Sequence, residues 1–216
     1  MLLLQPPGVY APQSDTRLLA DALRDEALPP GARVLDIGTG TGALALLAAR
    51  AGAGSVTAVD VSSIAVLTAR ANAWLHGAKV SVHRGDLFSP VGTGQFQLVL
   101  SNPPYVPTAP ETGRPGRTDA RWDAGRDGRA VVDRLCDEIP DRLAPGGVLL
   151  MVHSVVCGHA TTMHRLARAG LSVRPVRRAR VPFGPVMRSR AAWLRQSGAV
   201  GPEQRDEELV VIRAQR

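Results

Sequence analysis

Apolar residues fall along this chain in two alternating rhythms. Short, nearly continuous runs at Val34-Leu35-Asp36-Ile37, Ser55 to Val59, Lys79 to His83, Phe96 to Leu100 and Val148 to Val152 have the length of buried strands. Between them the spacing turns helical. Leu18, Leu19, Ala22 and Leu23 form one stripe of a helix that begins at Ser14. An Ala/Leu run ends at Ala51, and Ile64, Leu67, Ala71, Trp74 and Leu75 supply the apolar positions of the next helix. Further helices are expected over about 128–143, 156–169 and 187–197, a strand over about 171–180, and a last strand at Leu209-Val210-Val211-Ile212. Strands alternating with helices predict an α/β fold with seven strands, a mostly parallel sheet and helices on both faces.

The breaks between these runs carry the candidate chemistry. The first strand ends in Gly38-Thr39-Gly40-Thr41-Gly42 and restarts as a helix. Glycines permit positive φ and close approach of a ligand, and the helix N-terminus behind them offers free N–H groups. The second strand ends in Asp60-Val61, the third in Asp86-Leu87, and the fourth in Ser101-Asn102-Pro103-Pro104-Tyr105. Ligands of such sheets sit at the carboxyl ends of the strands. The two prolines offer no N–H, and Pro103 pushes Asn102 toward extended backbone angles. Asn102 is therefore expected at a strand end, on a stiff backbone that presents acceptors. A Pro-rich turn closing a strand is the bland alternative. Residues 107–127 are polar, rich in glycine and proline, and are expected to form a mobile loop over the site.

Composition narrows the setting. The 216 residues, 44% hydrophobic and 21% charged, suit one domain with a real core. No repeat or linker is visible. The expected organisation is a single domain over 1–216: an extended segment and helix (1–30), a cofactor-binding core (31–153) and a basic C-terminal part (154–216). Of the net charge of +7, residues 161–216 carry +8, with 12 Arg and 4 Asp/Glu. That asymmetry suggests an anionic partner such as tRNA or DNA, or else a solvated basic face. Cys136 and Cys157 are too few and too far apart for a metal site and read as buried free thiols. Met1-Leu2-Leu3-Leu4 is too short for a signal-peptide core, and no apolar run reaches membrane-spanning length. A cytoplasmic location without membrane attachment is expected.

The glycine turn has the spacing G-x-G-x-G, with Asp36 two positions before the first glycine. A dinucleotide fingerprint has G-x-G-x-x-G, and a carboxylate at this point would repel a pyrophosphate. S-adenosylmethionine carries an ammonium, a sulfonium and a ribose diol, and no phosphate. Asp36 with Gly38, Gly40 and Gly42 suits its methionine end. Asp60, with Val61 beside it, suits the ribose hydroxyls, and Asp86 suits the adenine amino group, with the Leu87 backbone N–H beside it. With these residues in register, the chain resembles the Rossmann-like class I S-adenosylmethionine-dependent methyltransferases.

Asn102-Pro103-Pro104-Tyr105 resembles the motif of enzymes that methylate amide or exocyclic amine nitrogens. Gly8-Val9-Tyr10-Ala11-Pro12-Gln13-Ser14-Asp15-Thr16 and Trp122-Asp123-Ala124-Gly125-Arg126-Asp127-Gly128-Arg129 resemble the V-Y-x-P-x-x-D-T and W-x-G-G-x-D-G-R segments of the HemK/PrmC family. Ala124 stands where the latter usually has its first glycine. The resemblance covers most of residues 8–155. It implies the short subfamily, which lacks an N-terminal helical domain, and methylation of a glutamine side chain in a translation release factor. S-adenosylhomocysteine would be the product and a small activator subunit a possible partner. It also implies that Thr16 touches the cofactor, that Asn102 and the Pro103 carbonyl accept the two target N–H groups, and that Tyr105 packs over the substrate. Two rival readings stay open: a DNA or RNA amino methyltransferase acting on adenine N6 or guanine N2, and a cofactor-binding subunit without activity. His153, alone at a strand end, is read as structural.

Overall fold

The computed structural model describes residues 1–109 and 124–216. Most of the loop expected over 107–127, with Trp122 and Asp123, lies outside the described residues. Seven strands form one sheet: β1 (Arg33–Ile37), β2 (Ser55–Asp60), β3 (Val80–Arg84), β4 (Phe96–Ser101), β5 (Leu143–Ser154), β6 (Ser172–Pro182) and β7 (Asp206–Gln215). Their order is β3-β2-β1-β4-β5-β7-β6. The first five run parallel, and β7 lies antiparallel between β5 and β6. The chain leaves β1 toward β3 and returns to β4 on the other side of β1. The carboxyl ends of β1 and β4 therefore form the topological switch point, where a ligand crevice is expected.

Helices α1 (Ser14–Asp25), α2 (Ala43–Arg50) and α3 (Ser63–Leu75) cover one face, and α4 (Ala130–Arg142) and α5 (His159–Arg168) the other. Successive strand residues point to opposite faces. Thus Val34, Leu98, Leu100, Val148 and Leu150 pack with Leu19, Leu23 and Leu44. Leu35, Val99, Leu149 and Met151 pack with Val132, Leu135 and Ile139. The predicted apolar runs of β1, β4 and β5 are buried on both sides, whereas the run expected at Lys79 to His83 is the edge strand β3, where only Val82 is buried. Helix α6 (Pro185–Gln196) joins Phe183, Met187, Leu194 and Val200 in a smaller cluster.

Three local expectations change. The apolar positions taken to mark α3 lie on its outer face: Leu67 is 64% exposed and Trp74 80%. The buried face is made of Ala65, Val66, Thr68, Ala69, Asn72 and Ala73. Small residues are needed there, since a Cβ on Gly42 would stand 3.2 Å from the Ala69 Cβ. Second, Pro145-Gly146-Gly147 does not separate helix from strand. Strand β5 already begins at Leu143, and the segment is an irregularity within it, where pairing jumps from Phe96↔Leu143 to Leu98↔Val148. Third, the basic C-terminal part supplies two strands of the common sheet, and many of its arginines are paired. Arg178 meets Glu208, Arg180 meets Asp206, Arg177 meets Asp25, and Arg213 grips Glu26 through two hydrogen bonds.

Candidate active site

A cavity of about 830 Å³ opens at the carboxyl ends of β1, β2 and β4. The glycine turn forms one wall. Gly38, Gly40 and Gly42 have φ of 74°, 54° and 84°, where side chains are strained. The Gly38 and Thr39 N–H groups donate to the Val59 carbonyl, which ties the turn to β2. A Cβ on Gly38 would face the Asn102 carbonyl at 3.7 Å, and one on Gly40 the Tyr10 carbonyl at 3.5 Å. The entry segment before α1 thus lies over the turn.

Asp60 accepts from the Gly40 N–H through Oδ2 and from the Ser62 N–H through Oδ1, both at 2.9 Å. Its carboxylate is fixed at the cavity edge, and carboxylate oxygens are the acceptors a diol needs. Val61, Leu87 and Thr16 line the same space. Leu87 is the only non-glycine residue with positive φ among the described residues, at 47°. Such strain costs about 1–2 kcal/mol and concentrates at ligand sites. Asp86 lines the cavity and pairs with Arg134 through two hydrogen bonds of 2.7 and 3.2 Å, near the surface.

Two residues expected at the cofactor do not line the cavity. Asp36 is fully buried beneath the turn, where Oδ2 accepts from the Thr39 hydroxyl at 2.6 Å and the Ala45 N–H at 3.1 Å. It holds the turn to α2. Burial raises its pKa to about 6, against the bonds from Thr39 and Ala45, and Oδ1 has no partner among the described residues. Gly42 serves the α2–α3 contact with Ala69.

The opposite wall begins at Asn102. Its Nδ2 donates to the Thr16 hydroxyl at 3.4 Å, and no hydrogen bond to Oδ1 exists among the described residues. The amide is thereby oriented with its acceptor available. Pro103 and Pro104 follow on the cavity wall, and the Tyr105 ring is buried against the core. Tyr105 and Tyr10 both donate to Asp15 Oδ2, at 3.3 and 2.5 Å. Burial and then the negative charge of Asp15 hold both phenols well above their usual pKa, so both remain donors. Asp15 was legible only as the acid of V-Y-x-P-x-x-D-T. Glu207, also on this wall, had no signal in the sequence.

The Asp127-Gly128-Arg129 stretch explains why this wall is rigid. A Cβ on Gly128 would fall 2.2 Å from the Tyr105 carbonyl oxygen. Asp127 Oδ1 accepts from the Arg129 N–H, and the Arg129 guanidinium reaches the Cys157 and Gly158 carbonyls, Thr162 and Asp133. Arg190 of α6 caps the Val106 carbonyl at 2.6 Å. His153 and Cys157 face each other at 3.1 Å. Burial lowers the imidazole pKa to about 4 and raises the thiol to about 12, so both are neutral.

With this geometry in hand, known proteins place the chain. The "Methyltransferase small domain" family matches residues 1–113. A putative protein N5-glutamine methyltransferase of Methanocaldococcus jannaschii is 36% identical over 181 residues, which cover 84% of this chain and 90% of that protein. A release factor glutamine methyltransferase of Geobacter sulfurreducens is 37% identical over 76% of this chain but only 59% of its own length. Among solved structures, the E. cuniculi Mtq2-Trm112 complex, described as responsible for methylation of the eRF1 translation termination factor, superposes with a TM-score of 0.69. It covers 97% of this chain and 99% of that one at 23% identity. The predicted Rossmann-like fold is therefore the observed one, and the chain belongs to the methyltransferase small-domain family as a HemK/PrmC-type S-adenosylmethionine-dependent methyltransferase.

Proposed function

We propose that this enzyme methylates the side-chain amide nitrogen of a glutamine in a translation release factor. The observation that carries the reading is Asn102: its Nδ2 is engaged by Thr16, and Asn102 and Pro103 both line the cavity, so the Asn102 Oδ1 and the Pro103 carbonyl would be the acceptors for the target N–H groups. Two acceptors on a proline-stiffened backbone match the two N–H groups of a planar amide. A glutamine nitrogen is a poor nucleophile because its lone pair is delocalised into the carbonyl. Holding both N–H groups aims that nitrogen and meets the positive charge that develops on it. Tyr105, fixed by Asp15 and backed by Gly128, keeps the acceptors in place.

Bound S-adenosylmethionine supplies an electrophilic methyl group on a sulfonium. The donor set fits it. Asp60 would take the ribose hydroxyls with Val61 beside it, Asp86 and the Leu87 N–H the adenine edge, and Gly38, Gly40 and Thr16 the methionine end. Asp36 and Gly42 support this cradle from below. S-adenosylhomocysteine leaves as product, and the reaction belongs in the cytoplasm with the translation machinery.

The release factor is favoured by the G. sulfurreducens release factor glutamine methyltransferase and by the E. cuniculi complex that methylates eRF1. A DNA or RNA amino methyltransferase would use the same acceptors, but five of the twelve arginines of residues 161–216, namely Arg165, Arg177, Arg178, Arg180 and Arg213, are already in ion pairs. An activator subunit is also part of the proposal. The edge strand β3 and the apolar outer face of α3, with Ile64, Leu67 and Trp74, offer it a surface. The test of the site is Asn102→Ala. Methyl transfer should be lost while S-adenosylmethionine affinity, by calorimetry, stays within a few-fold. Joint collapse of both would refute the assignment.

A further inference from the structure

The cavity extends past Tyr105 to a carboxylate that the methyl-transfer reading does not use. Glu207, near the start of β7, is only 4% exposed, and it lines the cavity. One of its oxygens is held by the Ser154 hydroxyl at the end of β5. The other, Oε2, has no hydrogen-bond partner among the described residues. A buried polar atom without a partner costs stability and calls for an explanation. Val181, Pro182, Phe183 and Met187 give this cavity apolar surface, and Gln13, Ser14 and Arg188 line it as well. A peptide segment entering here would bury backbone N–H groups that need acceptors.

We propose that Glu207 is a substrate-binding residue: its free Oε2 accepts an N–H from the segment that carries the methyl-acceptor side chain, and with Asp15 it excludes acidic neighbours of that side chain. The inference rests on the reading of this cavity as the seat of an amide-bearing protein segment. The charged and titratable groups facing Glu207 are Asp15 from α1, Tyr10 from the entry segment and Tyr105 after β4. Tyr10 and Tyr105 both donate to Asp15, not to Glu207. Burial pushes the Glu207 pKa up to about 7, so at about pH 8, where the binding test is run, it joins Asp15 as a carboxylate and the slot selects for N–H donors, neutral or cationic. Glu207 pairs in register with Val181 of β6, so the β6–β7 hairpin sets its position.

The probe is an acetylated and amidated peptide of glycine and alanine around one glutamine, titrated by calorimetry in the presence of S-adenosylhomocysteine. A second peptide carries aspartate next to the glutamine. Glu207→Leu should weaken the neutral peptide about tenfold or more, because an acceptor for a buried N–H is gone. Glu207→Gln keeps a carbonyl acceptor, so its loss should be smaller. Wild type should bind the aspartate peptide more weakly than the neutral one, and Glu207→Gln should narrow that gap. Affinity for S-adenosylhomocysteine should stay within about twofold in both variants, and thermal melting checks their folding. The inference is overturned if the neutral peptide does not bind wild type, if it binds Glu207→Leu equally well, or if cofactor-product affinity falls in step. Peptide binding that depends on Glu207, in an enzyme that leaves release factors unmethylated, supports this inference and refutes the proposed function.

Discussion

Gly128→Ala tests whether the Asp127-Gly128-Arg129 stretch positions the substrate wall. Gly128 has φ of 78°, and an added Cβ would lie 2.2 Å from the Tyr105 carbonyl oxygen and 2.9 Å from the Cys157 Cβ. Alanine at positive φ costs about 1 kcal/mol. A contact with backbone this short cannot be relieved by a rotamer change, and overpacking of this kind adds about 1–3 kcal/mol. For a chain of this size each kcal/mol lowers Tm by about 2–4 °C, so a fall on the order of 10 °C is expected. Gly146→Ala provides the control. Its φ is 73°, but nothing lies within 4 Å of the added Cβ, so it carries the strain without the clash. Its Tm should fall by only about 2–4 °C. Because the clash displaces Tyr105, Gly128→Ala should also lose methyl transfer more than cofactor affinity. Differential scanning calorimetry and a methyl-transfer assay decide the matter. Equal Tm values for the two variants would refute the argument.

Three further outcomes follow from the same geometry. Asp60→Ala removes the acceptor for the Gly40 and Ser62 N–H groups, and S-adenosylmethionine affinity by calorimetry should fall by about tenfold or more, with Tm reduced as well. Asp36 has a pKa of about 6 in the folded chain against an ordinary 3.8, so the folded state binds more protons between these values. Its contribution to stability is full below about pH 4 and is lost as pH rises through about 6. The Tm–pH slope of wild type should therefore lie below that of Asp36→Asn across this window. Leu67→Ser, on the exposed face of α3, should change stability by no more than about 0.5 kcal/mol while weakening capture of an activator subunit in a co-purification assay.

What the sequence displayed was what short-range pattern encodes. The strand–glycine turn–helix unit, Asp60 and Asn102 were legible because each lies within a few residues of its strand, and strand ends of a parallel sheet share one edge. The α3 face was misread because its outer residues are more apolar than its inner ones. The tight approach of Gly42 to Ala69 admits only small side chains inside, so burial there follows volume rather than hydropathy. Asp36 sits on a strand whose neighbours are all buried, and alternation aims its side chain beneath the turn rather than at the ligand. Glu207 could not be found locally. It reaches the site because β7 runs antiparallel between β5 and β6, and its pairing with β5 spans more than 50 residues, which its own neighbours do not announce. The basic charge of the C-terminal quarter was visible, but not the acids that answer it from α1 and β7.

The most direct test of the account is to locate the transferred methyl group. Purified enzyme, S-adenosylmethionine with a labelled methyl group and a purified release factor would be combined, and the products read by peptide mass spectrometry, with RNA and DNA offered in parallel. The account predicts one added methyl on the side-chain nitrogen of a release-factor glutamine, absent with Asn102→Ala. Label recovered in nucleic acid, or on release factor but undiminished in Asn102→Ala, would contradict it.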